Sequence, residues 1–479
     1  MRPFFPFLTA TAAVALFAGC SLAPDYERPA TPTAGAYPLG GDTATSGSAP
    51  DWRDFFGDPR LQRILELSLA NNRDLRVAGL NVERVRAYYN IQRSALIPSL
   101  DATAGGTRQR TPGDLGSSGR ATTRSSYSVG GSLPSYELDF FGRIASLRDQ
   151  VLQQYLATDE ARLSARLSLI SAVARQYLVL LAADEQFAIA SRAFDTAERS
   201  YALNQKTFEA GASSELDLRT SEAQREAYRA GVAAAGQQRA QATNALVLLV
   251  GAPLPADLPP TAPLAAQTLL NDLPAGLPSE LLARRPDIRA AEHTLQAANA
   301  NIGAARAAFF PSVTLTAFAG TASAELSGLF KDGSGAWSFA PSITVPIFAA
   351  GRNKAQLEVA WIEKRIEIAN YEKTIQTAFR EVSDAITVRT SIDTQVSAQQ
   401  ARVAAAQRRF DLSDQRYQAG IDSFLTVLLA QQELFVAEQA LLDARLLRLT
   451  NLVSLYAALG GGWTAETQPA GARLTAVAP

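Results

Sequence analysis

The chain has 479 residues, 47% of them apolar and 19% charged, with a formal net charge of −1. That balance gives no reason to expect nucleic acid as a partner. One cysteine and one histidine exclude an intrachain disulfide and any Cys/His metal centre, and with them most thiol- or metal-based enzymes.

Residues 1–19 read as a targeting signal rather than as structure. Arg2 supplies a positive end. Phe4 to Phe17 form an apolar stretch, with Pro3 and Pro6 near its start. Leu16-Phe17-Ala18-Gly19 then leads into Cys20, the only cysteine. The pattern resembles a bacterial lipoprotein signal, with Phe17 where leucine is usual. Cys20 is then the lipidated first residue of the mature chain, and Ser21 after it, rather than aspartate, fits sorting to the outer membrane. The bland alternative is a secretory signal with a chance cysteine. Residues 20–58 read as an anchor and an extended segment. No later segment offers ~18 uninterrupted apolar residues, so a chain of this kind that crosses a bilayer must do so as a barrel.

Residues 59–251 open with a helix from about Pro59 to Leu96, stopped by Pro98, which cannot continue it. Two extended segments follow, marked by Tyr127, Val129 and Leu133 with Gly130 and Gly131 among them, around a polar loop at about 110–125. From Arg143 to Ala210 there is neither Gly nor Pro. Such a run predicts one helix of about 100 Å, which no globular domain needs. Gly211 permits a reversal, and a returning helix runs from about Ser214 to Val250.

A Pro-rich linker, 252–278, comes next, and the plan then repeats over 279–460. Asp74-Leu75-Arg76 matches Asp287-Ile288-Arg289. Arg93 to Ser99 matches Arg306 to Ser312. Pro134-Ser135 leading to Phe141-Gly142-Arg143 matches Pro341-Ser342 leading to Phe348 and Gly351-Arg352. Phe208 to Gly211 matches Tyr417 to Gly420. All matches keep one order at an offset of about 210 residues, the mark of an internal repeat. The second half predicts a helix from about Ser279 to Phe309 and a cleaner strand pair. Val313, Leu315, Ala317 and Ala319 alternate with Ser312, Thr314, Thr316 and Phe318. Phe339, Ile343, Val345 and Ile347 alternate with Ser338, Ser342 and Thr344, beyond a loop at about 321–336. A second run free of Gly and Pro, Arg352 to Ala419, reverses at Gly420 and returns from about Ser423 to Leu459. Residues 461–479 read as a tail.

Four strands cannot close a barrel with a lumen, and open edges are not tolerated in lipid. A membrane-spanning reading therefore needs several chains to pool strands of about 10 residues each, a length that suits a tilted transmembrane strand. Tyr127 and Trp337 sit near strand ends, where an aromatic girdle would lie, although ordinary packing explains them equally well.

Several stretches in order resemble the outer-membrane factor family, the TolC-like channel-tunnels, in its lipoprotein branch. They are Cys20 to Pro29, Trp52 to Leu61, Asn72-Arg73-Asp74-Leu75, the two Pro-Ser strand starts, Arg284-Arg285-Pro286-Asp287-Ile288 and Arg416-Tyr417-Gln418-Ala419-Gly420. The resemblance covers essentially the whole mature chain. It implies an α+β membrane protein: a homotrimer with a 12-stranded barrel, four strands per chain, prolonged by a long helical tunnel across the periplasm. It also implies a periplasmic adaptor protein and an inner-membrane pump, typically of the resistance-nodulation-division class. The channel would be a passive duct for drugs or other small molecules, needing no cofactor beyond the lipid on Cys20. The same architecture with another pump serves protein or metal-ion export. A lipid-anchored coiled-coil scaffold without a pore is a reading from another class, and the strand pairs argue against it. A hydrolase is more remote, since no catalytic constellation is present.

In the family the helix reversals form the periplasmic tip, which is closed at rest and docks the adaptor. That assigns adaptor contact to Gly211, Ser214, Leu216, Gly420, Ser423 and Leu425, although the glycines serve a tight turn equally well. A gate is assigned to Asp411, Asp414, Arg416 and Tyr417. Asp411 and Asp414 are three apart and share a helix face, so three copies would give rings of carboxylates. Arg416 and Tyr417 could hold a neighbouring helix. The alternative is a solvated helix face. Thr426 and Leu429 stand where the best-known relatives carry aspartates, so an acidic ring here should precede the turn. His293, with no second ligand near it, is expected at a surface or interface.

Overall fold

A computed structural model describes residues 21–34, 36–38, 50–115, 119–270 and 281–462. The signal segment, Cys20, part of the Pro-rich linker and the tail from 463 lie outside the described residues. The elements are α1 (Trp52–Phe55), α2 (Pro59–Asn71), α3 (Arg73–Ser94), β1 (Asp101–Thr111), β2 (Thr122–Leu138), α4 (Arg143–Glu209), α5 (Glu215–Val250), α6 (Leu281–Arg284), α7 (Pro286–Ala307), β3 (Ser312–Ser323), β4 (Gly335–Thr344), α8 (Arg352–Gln418) and α9 (Phe424–Ala458). The order of two helices, two strands, a long helix and a returning helix occurs twice.

The runs without Gly or Pro become α4 and α8, each 67 residues long and so about 100 Å. The helix expected over Pro59–Leu96 is broken at Asn72, which is extended at φ −61, ψ 132. Its Oδ1 accepts the Leu75 N–H at 2.9 Å, capping α3, while Nδ2 donates to the Leu249 carbonyl at 2.9 Å. The helix expected over Ser279–Phe309 is broken at the corresponding place. Arg285 precedes Pro286 and donates to the Ala458 carbonyl at 3.1 Å. Each break thus supplies a donor to an orphan carbonyl at the end of a returning helix. An evenly helical pattern carries no sign of that distant carbonyl.

The chain divides into two compact units. The first comprises Met1–Ala30, Asn81–Asp159 and Ala290–Glu372. It holds a four-stranded antiparallel sheet in the order β1-β2-β3-β4. β2 has 17 residues, more than expected, because a bulge between Leu133 and Tyr136 absorbs Pro134, which cannot donate to the ladder. β4 ends at Thr344, opposite Ser312, so Val345 and Ile347 lie outside it. Its partner strand begins there, after Pro311, and Pro346 offers no N–H. Along β3 and β4 the expected alternation holds: Val313, Leu315, Ala317 and Ala319 pair with Ile343, Pro341, Phe339 and Trp337 on one face.

In the same unit the segment from Leu22 to Arg28 lies along α7. Arg306 donates to the Leu22 carbonyl at 2.9 Å and Asn299 to the Pro24 carbonyl at 2.8 Å. Arg28 forks onto Glu292 with two 2.8 Å bonds. His293 is half-buried, with Nδ1 at 2.8 Å from Gln153 Oε1.

The second unit comprises Thr31–Leu80, Glu160–Arg289 and Lys373–Pro479. Its core gathers an aromatic group: Phe55 stacks on Tyr456 at 4.4 Å and meets Phe56 edge-on at 4.7 Å. Burial pushes the Tyr456 hydroxyl up to about 12. Asp58 caps α2 and accepts the Tyr177 hydroxyl at 2.9 Å. Truncating such a buried aromatic costs ~3–5 kcal/mol. α4 includes an 18-residue stretch of mean hydropathy 1.4, half of it buried. Val173, Tyr177, Leu178 and Leu181 of α4 are core residues of this unit.

Candidate functional site at the helix reversals

Both reversals lie in the second unit and share one backbone path. Gly211 and Gly420 take φ of +73 and +71, conformations that cost an L side chain strain. Each closes a Schellman motif. In the first, Gly211 N–H reaches the Phe208 carbonyl at 2.9 Å and Ala212 N–H the Thr207 carbonyl at 2.8 Å. In the second, Gly420 N–H reaches Tyr417 and Ile421 N–H reaches Arg416, both at 2.9 Å.

The caps then differ. The Ser214 hydroxyl accepts the Asp217 N–H at 3.2 Å and donates to its carboxylate at 2.7 Å. Ser423 caps α9 without a side-chain bond. Two residues past each cap, Leu216 and Leu425 stand 75% and 57% exposed, two large apolar side chains facing solvent at matching places.

The residues assigned to a gate separate into two groups. Asp411 and Asp414 are half-buried, and each is held on its own helix. Gln407 Nε2 donates to Asp411 at 2.8 Å and Gln418 Nε2 to Asp414 at 2.8 Å. Burial raises the Asp414 pKa; Arg199 opposes this and the Asp411 charge adds to it. Tyr417 reaches across to α4, donating its hydroxyl to Asn204 Oδ1 at 2.5 Å. Burial raises its pKa too.

Within the chain, Arg416 turns to its own loop. It forks onto Asp422 at 2.7 and 2.9 Å, and this bond raises the Arg416 pKa and lowers that of Asp422. The left-handed glycine folds the loop back, bringing a carboxylate within reach of the guanidinium fork. Asp422 and the fully buried Asn204 were missed. The spacing of Arg416 and Asp422 about Gly420 could have suggested the first; nothing in the sequence marks the second. Among the described residues, no group of three His, Cys, Asp or Glu could hold a metal ion.

The family model for outer membrane efflux proteins matches residues 64–252 and 277–461. The chain is 47% identical over 459 residues to the solvent efflux pump outer membrane protein SrpC of Pseudomonas putida, spanning 94% of this chain and 97% of that protein. It is 45% identical over 447 residues to the outer membrane protein OprJ of Pseudomonas aeruginosa, spanning 93% of each. Among solved structures it resembles the open state of the Neisseria gonorrhoeae MtrE outer membrane channel, with a TM-score of 0.84, 43% identity and coverage of 94% of this chain and 100% of that one. A membrane protein of Pseudomonas aeruginosa gives a TM-score of 0.87 at 45% identity, covering 93% and 98%. The chain belongs to the outer membrane efflux protein family and works as an efflux channel of the outer membrane.

Proposed function

We propose that three copies of this chain close a twelve-stranded barrel in the outer membrane, continued by helices that cross the periplasm as a passive duct. The observation that carries this is the sheet itself. It has four strands and two free edges, β1 and β4, and β4 holds Trp337, Phe339 and Ile343 at 80, 60 and 67% exposure. Beyond its end, Ile347 and Phe348 are 95% and 89% exposed. An open apolar edge is not stable in lipid or in water. Pairing β4 of one copy with β1 of the next removes every edge and turns the apolar face to lipid.

The two matches to the family model support the reading of residues 59–251 and 279–460 as repeats joined by the 252–278 linker. On this reading the reversals dock a periplasmic adaptor through Leu216 and Leu425, with Gly211, Ser214, Gly420 and Ser423 shaping the seats. Asp411, Asp414, Arg416 and Tyr417 line the closed end, and a lipid on Cys20 ties the start of the chain to the membrane. The chain provides a passage and no reaction. An inner-membrane pump of the resistance-nodulation-division class supplies energy and selects cargo. Relatives named for solvent, toluene and antibiotic efflux support small, largely apolar organic molecules as that cargo.

Purified protein in planar bilayers should give discrete conductance steps, and its particles should be elongated with three-fold symmetry. A compact monomer that conducts nothing would end this reading. Loss of the gene should sensitise cells to organic solvents and antibiotics, with full recovery on complementation.

A further inference from the structure

The register of the sheet places two arginines where an apolar surface ends. On one face the rows run from Val313 and Ile343 up to Ala102, Gly131, Ala319 and Trp337. Four residues further along β2 stands Tyr127, opposite Gly106, after one intervening row at Val129 and Ala104. Because side chains alternate along a strand, the next positions of β1 on this same face are Arg108 and Arg110. They pair across with Ser125 and Thr123. Both guanidinium groups are exposed. Neither forms an ion pair among the described residues.

Two like charges about 7 Å apart along one strand repel each other unless an anion lies between them. An unpaired arginine on a lipid-facing strand costs ~2–4 kcal/mol at mid-bilayer but little at the interface. The pair sits past the aromatic position, at the loop end of the strands. By the chain connections this is the end remote from α3 and α4. Arginine forks match phosphate oxygens in two-bond geometry, and a serine and a threonine hydroxyl stand opposite, about 5 Å away.

We propose that Arg108 and Arg110, with Ser125 and Thr123, bind the phosphate groups of an anionic glycolipid in the outer leaflet. This rests on the barrel reading, in which the apolar face meets lipid and the loops face outward.

The test uses the purified oligomer in neutral detergent, with diphosphorylated lipid A as the probe and native mass spectrometry as the readout. Retained lipid should fall by roughly tenfold in the Arg108→Gln/Arg110→Gln variant, as expected for lost charge-assisted contacts, and by less in Arg110→Gln alone. Arg124→Gln, on the opposite face of β2, should retain wild-type amounts. Equal retention by the double variant overturns the site. So does equal binding of the dephosphorylated lipid, or thermal stabilisation by inorganic phosphate as large as that by the lipid. Conductance separates the two readings: open channels with unchanged lipid retention overturn only this site, whereas wild-type protein that forms no channel overturns the barrel as well.

Discussion

Tyr417 on α8 and Asn204 on α4 are joined by a 2.5 Å hydrogen bond, the direct side-chain link between the last turns of the two long helices. Asn204 is fully buried, and its Nδ2 has no acceptor among the described residues. The amide is held by the tyrosine and by little else. Removing the phenolic hydroxyl leaves a buried polar group unpaired, a cost of ~1–3 kcal/mol borne by this arrangement, which on the proposed gate reading closes the channel. Tyr417→Phe should therefore raise open-channel probability in bilayers roughly tenfold. Asn204→Leu should do the same, and the double variant no more than either alone. Additive effects in single-channel records would show that the pair does not act as one latch.

Asp414 gives a pH dependence with a definite sign. Its folded pKa is raised, chiefly by burial. The folded state therefore holds this proton more tightly than the unfolded chain, and ionisation of Asp414 opposes the native arrangement. That penalty is present above the folded pKa and vanishes as pH falls below the unfolded value. Cation selectivity should weaken on acidification, beginning above the usual carboxylate range. Asp414→Asn should abolish that step and should not destabilise at neutral pH. Reversal potentials measured across a pH series give the answer.

Glycines in two settings should respond differently. At Gly420 an added Cβ meets nothing within 4 Å, so Gly420→Ala carries only backbone strain, ~1–2 kcal/mol. At Gly251, also left-handed at φ +74, the Cβ would lie 2.6 Å from the Asn71 carbonyl oxygen. Gly251→Ala adds a steric cost of ~1–3 kcal/mol. Thermal unfolding should rank the second variant clearly below the first; the reverse order would contradict this packing.

Leu216 and Leu425 offer a test of docking. Both are exposed, so Leu216→Asp and Leu425→Asp should leave oligomer and conductance intact. Co-purification with the adaptor should fall severalfold for either and further for both together. Retention at wild-type levels in both would remove the reversals from the docking surface.

The extent of α4 and α8 could be read in the sequence to within one residue, because absence of Gly and Pro is a local property. The strand pairs were legible from their local alternation, apart from β2, whose bulge depends on how its neighbour continues past Pro134, and the end of β4, which stops at Thr344 and leaves out Val345 and Ile347. The breaks at Asn72 and Arg285 were not legible. Each answers a carbonyl nearly two hundred residues away in the chain, and helix propensity is blind to that. The aromatic group of Phe55, Phe56 and Tyr456 was hidden likewise. At the second reversal, Asp411 and Asp414 were visible as spacing, but the partners Asn204 and Asp422 were chosen by tertiary approach.

The joints at Asn72 and Arg285 follow one path with unlike chemistry. A neutral amide closes the first. At the second, a buried guanidinium is shared among the Ala458 carbonyl, Glu381 at 2.6 Å and Asp287 at 2.6 Å. Ionic strength acts on an ion pair and leaves a neutral amide untouched. Saline surroundings would thus slacken the second joint, and only slightly because Arg285 is buried, while the first stays firm.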